Sequence, residues 1–197
     1  MPVTINGDGS ITGLSVGGLG SGVVNDTSLA SNAVTSVKLH DDAVVASKLP
    51  TGTVIKYQHT TSTTKTNITS TQSWTTFSGT QVDFTPTFSN SKLDITWSFA
   101  LEGNQTVNGI GFRIFRQSPI GGSDTQIAES YQHSHWGTGN WTGPGTIYLT
   151  FMDQPNTPLG QVVRYYVQCQ KQSGNDLYSN YGQDESGIQN TVWEIKP

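Results

Sequence analysis

Along the first fifty positions, large apolar side chains recur every five residues: Leu14 and Leu19, Val24 and Leu29, Val34 and Leu39, Val44 and Leu49. The last two ten-residue units match in kind as well, Ala33-Val34-Thr35-Ser36-Val37-Lys38-Leu39 against Ala43-Val44-Val45-Ala46-Ser47-Lys48-Leu49. A step of five turns a helix by roughly 140° past one full turn, so the apolar groups do not gather into one stripe. On a strand, an odd step sends successive side chains to opposite faces. One chain cannot bury both sets on itself, whereas several copies wound about a shared axis can. The repeat therefore predicts an interwound multi-chain stalk over residues 1–50, with Val24, Leu29, Val34, Leu39, Val44 and Leu49 in its core. Short helices over residues 28–39 and 42–49 fit inside such a stalk, the second with Asp41 or Asp42 as its N-cap.

From residue 53 onward the period becomes two. In residues 92–101, Leu93, Ile95, Trp97, Phe99 and Leu101 share one face, while Asp94, Thr96 and Ser98 share the other. That is the pattern of a half-buried strand. Residues 109–116, 146–153, 162–170 and 191–195 alternate in the same way. Weaker alternation marks 54–58, 73–77, 81–85, 126–131 and 177–181. Pro- and Gly-containing turns separate these runs, as at Ser118-Pro119-Ile120-Gly121-Gly122. Eight to ten short strands with no helical segment predict an all-β domain, a β-sandwich of jelly-roll type. Its first strand (54–58) and last (192–195) are expected to pair, closing the domain next to the stalk. Aromatic residues are missing before Tyr57 and frequent after it, so the boundary falls at Leu49-Pro50-Thr51-Gly52. Residues 1–50 form the stalk and attachment segment, and 51–197 the head.

Composition sharpens this picture. Only 12% of residues are charged and 33% hydrophobic, against about 25% and 45–50% in an average soluble domain. Small polar residues fill the difference, and the 10% aromatic content argues against disorder. Low charge gives little protection against edge-to-edge strand pairing, for which closure or oligomerisation is the remedy. A net charge of −4 without any Lys/Arg run gives no footing for nucleic acid. Met1-Pro2-Val3-Thr4 lacks the basic and apolar runs of a secretory leader, and no stretch approaches membrane-spanning length. Cys169 continues the alternation of Val163, Tyr165 and Val167 and reads as a small buried hydrophobe.

Catalytic motifs are missing. No Gly-x-Ser-x-Gly, Walker-type or His-Glu-x-x-His pattern occurs, and adjacent carboxylates appear only at Asp41-Asp42 and Asp184-Glu185, both in turn-like surroundings. No enzymatic activity and no cofactor are expected. Two segments look suited to contact. In Tyr131 to Trp141, Trp136 and Trp141 offer apolar faces for sugar rings, with Asn140, Gln132 and the His side chains as hydrogen-bond partners; packing at a subunit interface is the blander reading and is preferred. In residues 175–187, Tyr178 and Tyr181 combine rigid aromatic area with adaptable polar neighbours, a pairing that any solvent loop can also have. Arg113 points away from the face of Ile110, Phe112 and Ile114. Arg116 shares that apolar face, so it must leave the sheet at the strand end or meet a carboxylate, for which Glu102 or Glu129 of another chain is a candidate.

Several stretches together resemble the tail-fibre and related fibre proteins of tailed phages, marine and cyanobacterial ones above all. They are the run from Thr4 to Leu14, the Ala-Val-x-x-x-Lys-Leu units, Gly52-Thr53-Val54-Ile55-Lys56-Tyr57-Gln58, Asp83-Phe84-Thr85-Pro86 with Ser89-Asn90-Ser91-Lys92-Leu93, and Thr191-Val192-Trp193-Glu194-Ile195. The resemblance implies a homotrimeric virion structural protein, made in the host cytoplasm. Its N-terminal part would join other virion proteins, and its C-terminal head would bind a host surface glycan or protein during adsorption. It also implies a third reading of the His-containing segment, in which His133 and His135 of three chains meet on the trimer axis and hold a metal. Fifty extended residues span at most roughly 165–180 Å, short for a long tail fibre. A capsid (head) fibre or a decoration or cement protein is therefore the first alternative, and a carbohydrate-binding module the second.

Overall fold

The alternation of residues 92–101 becomes the central strand of a two-layered β-domain. The computed structural model of the chain describes residues 4–5, 7, 11–12, 29–31, 33–35, 38–69, 72–103, 107–135, 145–174, 177–179 and 187–197. It divides into two units, Met1–Val45 and Ala46–Pro197.

In the first unit, β1 (Thr4–Ile5) and β2 (Ile11–Thr12) pair antiparallel. The five-residue repeat takes a form that is neither helix nor strand. Tight turns are closed by Ala33 N–H to Ala30 O, Lys38 N–H to Thr35 O and Ala43 N–H to His40 O. A fourth, Leu49 N–H to Ala46 O, opens the second unit. Leu29, Val34 and Leu39 each sit immediately before one of the first three turns, and Val44-Val45 before the fourth. Two expectations are corrected here. Among its described residues, the 28–39 stretch carries turns in place of an α-helix, and the 42–49 stretch contracts to one 3-10 turn, Ala46–Lys48. Asp42 has φ 63°, the left-handed conformation that Asp tolerates better than most residues, so it is a turn residue and not an N-cap.

The second unit contains β3 (Val54–Ser62), β4 (Asn67–Ile68), β5 (Thr75–Thr76), β6 (Val82–Phe84), β7 (Lys92–Gly103), β8 (Val107–Gln117), β9 (Thr125–His135), β10 (Gly145–Asp153), β11 (Val163–Gly174), β12 (Leu177–Ser179) and β13 (Ile188–Ile195). They form two antiparallel sheets. One runs β3-β13-β7-β10, with the short β12 and β4 continuing from the end of β7. The other runs from β5 and β6, both beside β11, through β8 to β9. With β5 and β6 taken as one interrupted strand, the eight main strands are ordered 1-8-3-6 and 2-7-4-5, the double Greek key of a jelly roll. First and last strands pair as expected, from Ile188 opposite Ser62 to Ile195 opposite Val54.

The core lies between the sheets because alternation turns one face of each strand inward. Leu93, Ile95, Trp97, Phe99 and Leu101 of β7 are buried, as are Phe112 and Ile114 of β8 and Val163, Tyr165, Val167 and Cys169 of β11. Phe99 bridges the layers, 4.8 Å from Phe77 and 5.8 Å from Phe112 by ring centroids. Trp97 Nε1 donates to Thr80 O at 2.8 Å, and Thr80 Oγ1 accepts from Val167 N at 3.0 Å, so this short loop pins both sheets. Burial raises the Cys169 thiol well above its ordinary pKa.

Among the described residues, charged side chains on the inward face include Arg116, Asp153, Lys171 and Glu194. Arg116 finds its carboxylate within the same chain, a correction to the expected Glu102 or Glu129 of a neighbour: its Nη1 is 2.9 Å from both oxygens of Asp153, which also accepts from Tyr165 Oη at 2.8 Å. The reason is topological. β10 of one sheet ends at Asp153 opposite the end of β8 in the other, and Glu129 is already paired with Arg113 at 3.0 Å. Glu194 is fully buried and accepts from Thr87 N (2.6 Å), Thr87 Oγ1 (2.9 Å), Ser91 Oγ (2.6 Å) and Phe88 N (3.4 Å). Lys171 is buried at the inward end of β11.

Candidate binding surfaces

The outward face of the β3-β13-β7-β10 sheet has a graded relief. Central β7 presents small groups, Thr96, Ser98 and Ala100, while the flanking strands present large ones: Tyr57 on β3, Trp193 on β13, Tyr148 and Met152 on β10. These four are 41–70% exposed, Tyr148 the most. Beside Tyr148 lies a groove of about 360 Å³ lined by Thr96, Ser98, Thr146, Gln189 and Thr191 among others. Tyr57 and Trp193 touch, centroids 4.4 Å apart and planes tilted by 47°. His59 Nδ1 lies 3.2 Å from Thr191 Oγ1, and Thr96 Oγ1 lies 3.2 Å from Thr150 Oγ1. Among the described residues, β7 brings three charged positions to the parity of this face, Lys92 and Asp94 at its start and Glu102 near its end.

The outward face of the other sheet is charged and internally satisfied. Arg164 makes a two-pronged contact with Asp83 at 2.7 and 2.8 Å. Arg113 pairs with Glu129 and lies 3.9 Å over the Trp74 ring. Phe115 and Tyr166 stack at 5.4 Å. The Tyr166 hydroxyl is pushed up to about 12 by burial and by its hydrogen bond to Asp124. A third feature is a cleft of about 230 Å³ where β9 and β10 part, lined by Phe112, Ile114, Ala128, Leu149 and Phe151 with polar neighbours.

Of the residues singled out from sequence, Trp136, Asn140, Trp141, Tyr181 and Val24 lie outside the described residues. His133 and His135 belong to β9, where His135 is opposite Asn108. Tyr178 belongs to β12, between Asn67 and Glu102, so it stands in a strand. Leu29, Val34, Leu39 and Val44 are 45–58% exposed in the single chain, and Leu49 is half-buried. Among the described residues, no group of three or more His, Cys, Asp or Glu could hold a metal, and no helix is long and apolar enough to cross a membrane.

Register fixes the two ends of the sandwich. Gly145, which ends the 136–144 connection, and Ser179, which begins the 180–186 connection, are both Cα partners of Leu101, one on either side of β7. Gly145 and Ser179 therefore stand side by side at one end of the sandwich. The chain enters at the other end. There Val54 and Lys92 pair with Ile195, Gly52 N donates to Lys196 O at 2.9 Å, and Lys196 Nζ donates to the carbonyls of Ser47 and Leu49. Along β7, the run from Lys92 to Leu101 separates the two ends by about 31 Å at ~3.4 Å per residue.

No family model matches the chain, and no curated protein matches it. Among solved structures, it is similar to Eiger TNF from S. frugiperda, at 11% identity and TM-score 0.35, covering 55% of this chain and 60% of that one. It is also similar to the infectious bursal disease virus Gt strain, at 12% identity and TM-score 0.40, covering 72% of this chain and 38% of that one. For the VP2 subviral particle of that virus the values are 10% and 0.37, with 72% and 37% covered. The chain thus spans less than two thirds of each of these proteins.

Proposed function

We propose that the chain is a homotrimeric virion fibre. Residues 1–50 wind three copies into a stalk that joins other virion proteins, and the far end of the jelly roll contacts the host surface. The observation that carries this reading is the polarity of the sandwich. Leu49 and Gly52 lie at one end, beside Lys196, and Gly145 and Ser179, which border in sequence the segments of Trp136, Asn140, Trp141 and Tyr181, lie at the other. A fibre requires that separation between its attached and its free end. The exposed apolar residue before each turn supports the stalk, because four such side chains left in water are a standing cost that neighbouring copies remove. The resemblance to phage fibre proteins points the same way. No catalytic step is assigned to any residue.

The test is adsorption. Purified full-length protein at saturating concentration should block attachment of the particles whose genome encodes it, and Trp136→Ala with Trp141→Ala should weaken the block. A chain present in the particles but without effect on attachment would make it a decoration protein. A chain missing from the particles would end the virion reading.

A further inference from the structure

We propose that the outward face of the β3-β13-β7-β10 sheet is the contact between heads, with a second copy of this chain as its occupant. This deepens the trimer reading and rests on it. Three observations lead there.

The first is charge. Identical copies place identical patches near one another, so a face of one sign repels itself. Among the described residues, β7 brings only Lys92, Asp94 and Glu102 to the parity of this face, near its two ends, so a contact over its middle strips water from few charges, while the opposite face holds Arg164, Asp83, Arg113 and Glu129 in pairs already made. The second is relief. A ring of three needs unlike patches to meet, each copy's projection entering its neighbour's recess. Tyr148 and Met152 project from edge strand β10, and the groove beside Tyr148 is a recess with Thr96, Ser98 and Ala100 of β7 in its lining. Seating one in the other removes exposed aromatic and thioether surface from water and covers sheet edges that would otherwise be free to pair with any strand. The third is continuity. The last unit of the repeat is held to the end of β13 by Lys196, and β3 starts four residues after Pro50. A stalk that gathers three copies at Leu49 therefore gathers the β3–β13 ends of three heads as well.

The experiment uses the full chain and reads thiol labelling together with solution mass. Thr150→Cys lies between Tyr148 and Met152, and Thr146→Cys is a second reporter on the same strand. Gln126→Cys, exposed beside Phe115 on the opposite face, is the control, and native Cys169 is buried and silent. In a trimer, both β10 cysteines should react with a maleimide more than roughly tenfold slower than the control, because contact cores exclude water. A trimer in which they react as fast as Gln126→Cys overturns the face and leaves the fibre reading standing, with the groove open to a ligand. A monomeric mass overturns both.

Discussion

Glu194→Ala and Glu194→Gln should separate two contributions at a fully buried charge of the head. The carboxylate holds the 85–91 segment to the last strand. Its Oε1 accepts from Thr87 N, Phe88 N and Ser91 Oγ, and its Oε2 from Thr87 Oγ1. Alanine removes all four acceptor contacts and leaves buried Ser91 and two backbone N–H groups to find others. At about 1–3 kcal/mol per stranded buried group, partly relieved by water at exposed Thr87, the cost is about 3–5 kcal/mol. Glutamine keeps the three bonds to Oε1, and its amide can donate to a rotated Thr87 hydroxyl. The geometry survives and the charge assistance goes, which roughly halves each bond; the cost is about 1–2 kcal/mol. Urea unfolding of both variants and the parent, at one protein concentration, measures the difference, since the midpoint moves by the energy divided by the slope. Amide exchange at Thr87 and Phe88 should accelerate in the alanine variant. Equal costs for the two substitutions would refute the reasoning, and so would an alanine variant within about 1 kcal/mol of the parent.

Gly79→Ala should cost about 3 kcal/mol in the same assay, because φ is 89° and an added Cβ would lie 2.6 Å from Ser62 Oγ and 2.9 Å from Ile188 Cδ1; Gly52→Ala, at φ 86° in open space, should cost about 1 kcal/mol. Tyr165→Phe deletes one bond to the Asp153 carboxylate and should lose about 1.5–3 kcal/mol, with a smaller loss in an Asp153→Asn background; equal losses in both would show that the two groups are not coupled. Burial raises the pKa of both Cys169 and Tyr165 in the fold, so the unfolded chain releases these protons first. Stability is then fully present below the unfolded thiol pKa of about 8.5 and declines as pH rises above it, by up to ~1.4 kcal/mol per pH unit for one proton. Cys169→Ala should delay the onset of that decline to about pH 10, where the tyrosine takes over, and an unchanged onset in the unfolding curves would contradict the assignment.

Strands were legible where alternation was strong and local. The five apolar positions from Leu93 to Leu101 mark β7 because each alternate side chain falls into the same core. Glu194 and Lys171 carry a sequence signal of their own. Each continues the inward parity of its strand, Val192 to Glu194 and Cys169 to Lys171, and a charge at an apolar parity signals a buried polar arrangement. The partner of Arg116 was not legible, since Asp153 lies on a strand of the facing sheet and only the jelly-roll order brings the two ends together. The groove was hidden for the same reason. Thr96, Ser98 and Thr191 read as solvated hydroxyls until the neighbouring strands are known to raise Tyr148 and Trp193 around them. In the repeat, periodicity excluded a single helix or strand but did not name the alternative, because a turn before every fifth residue depends on backbone bonds and not on a face.

The central claim is that three copies associate through the repeat and form one fibre. Light scattering on a sizing column measures it directly, on the full-length protein and on a variant carrying Val34→Asp, Leu39→Asp and Val44→Asp. The account predicts three times the 21.2 kDa chain mass for the parent and loss of the stalk's contribution in the variant, seen as dissociation on dilution. A parent that runs at the mass of one chain at every concentration would contradict it.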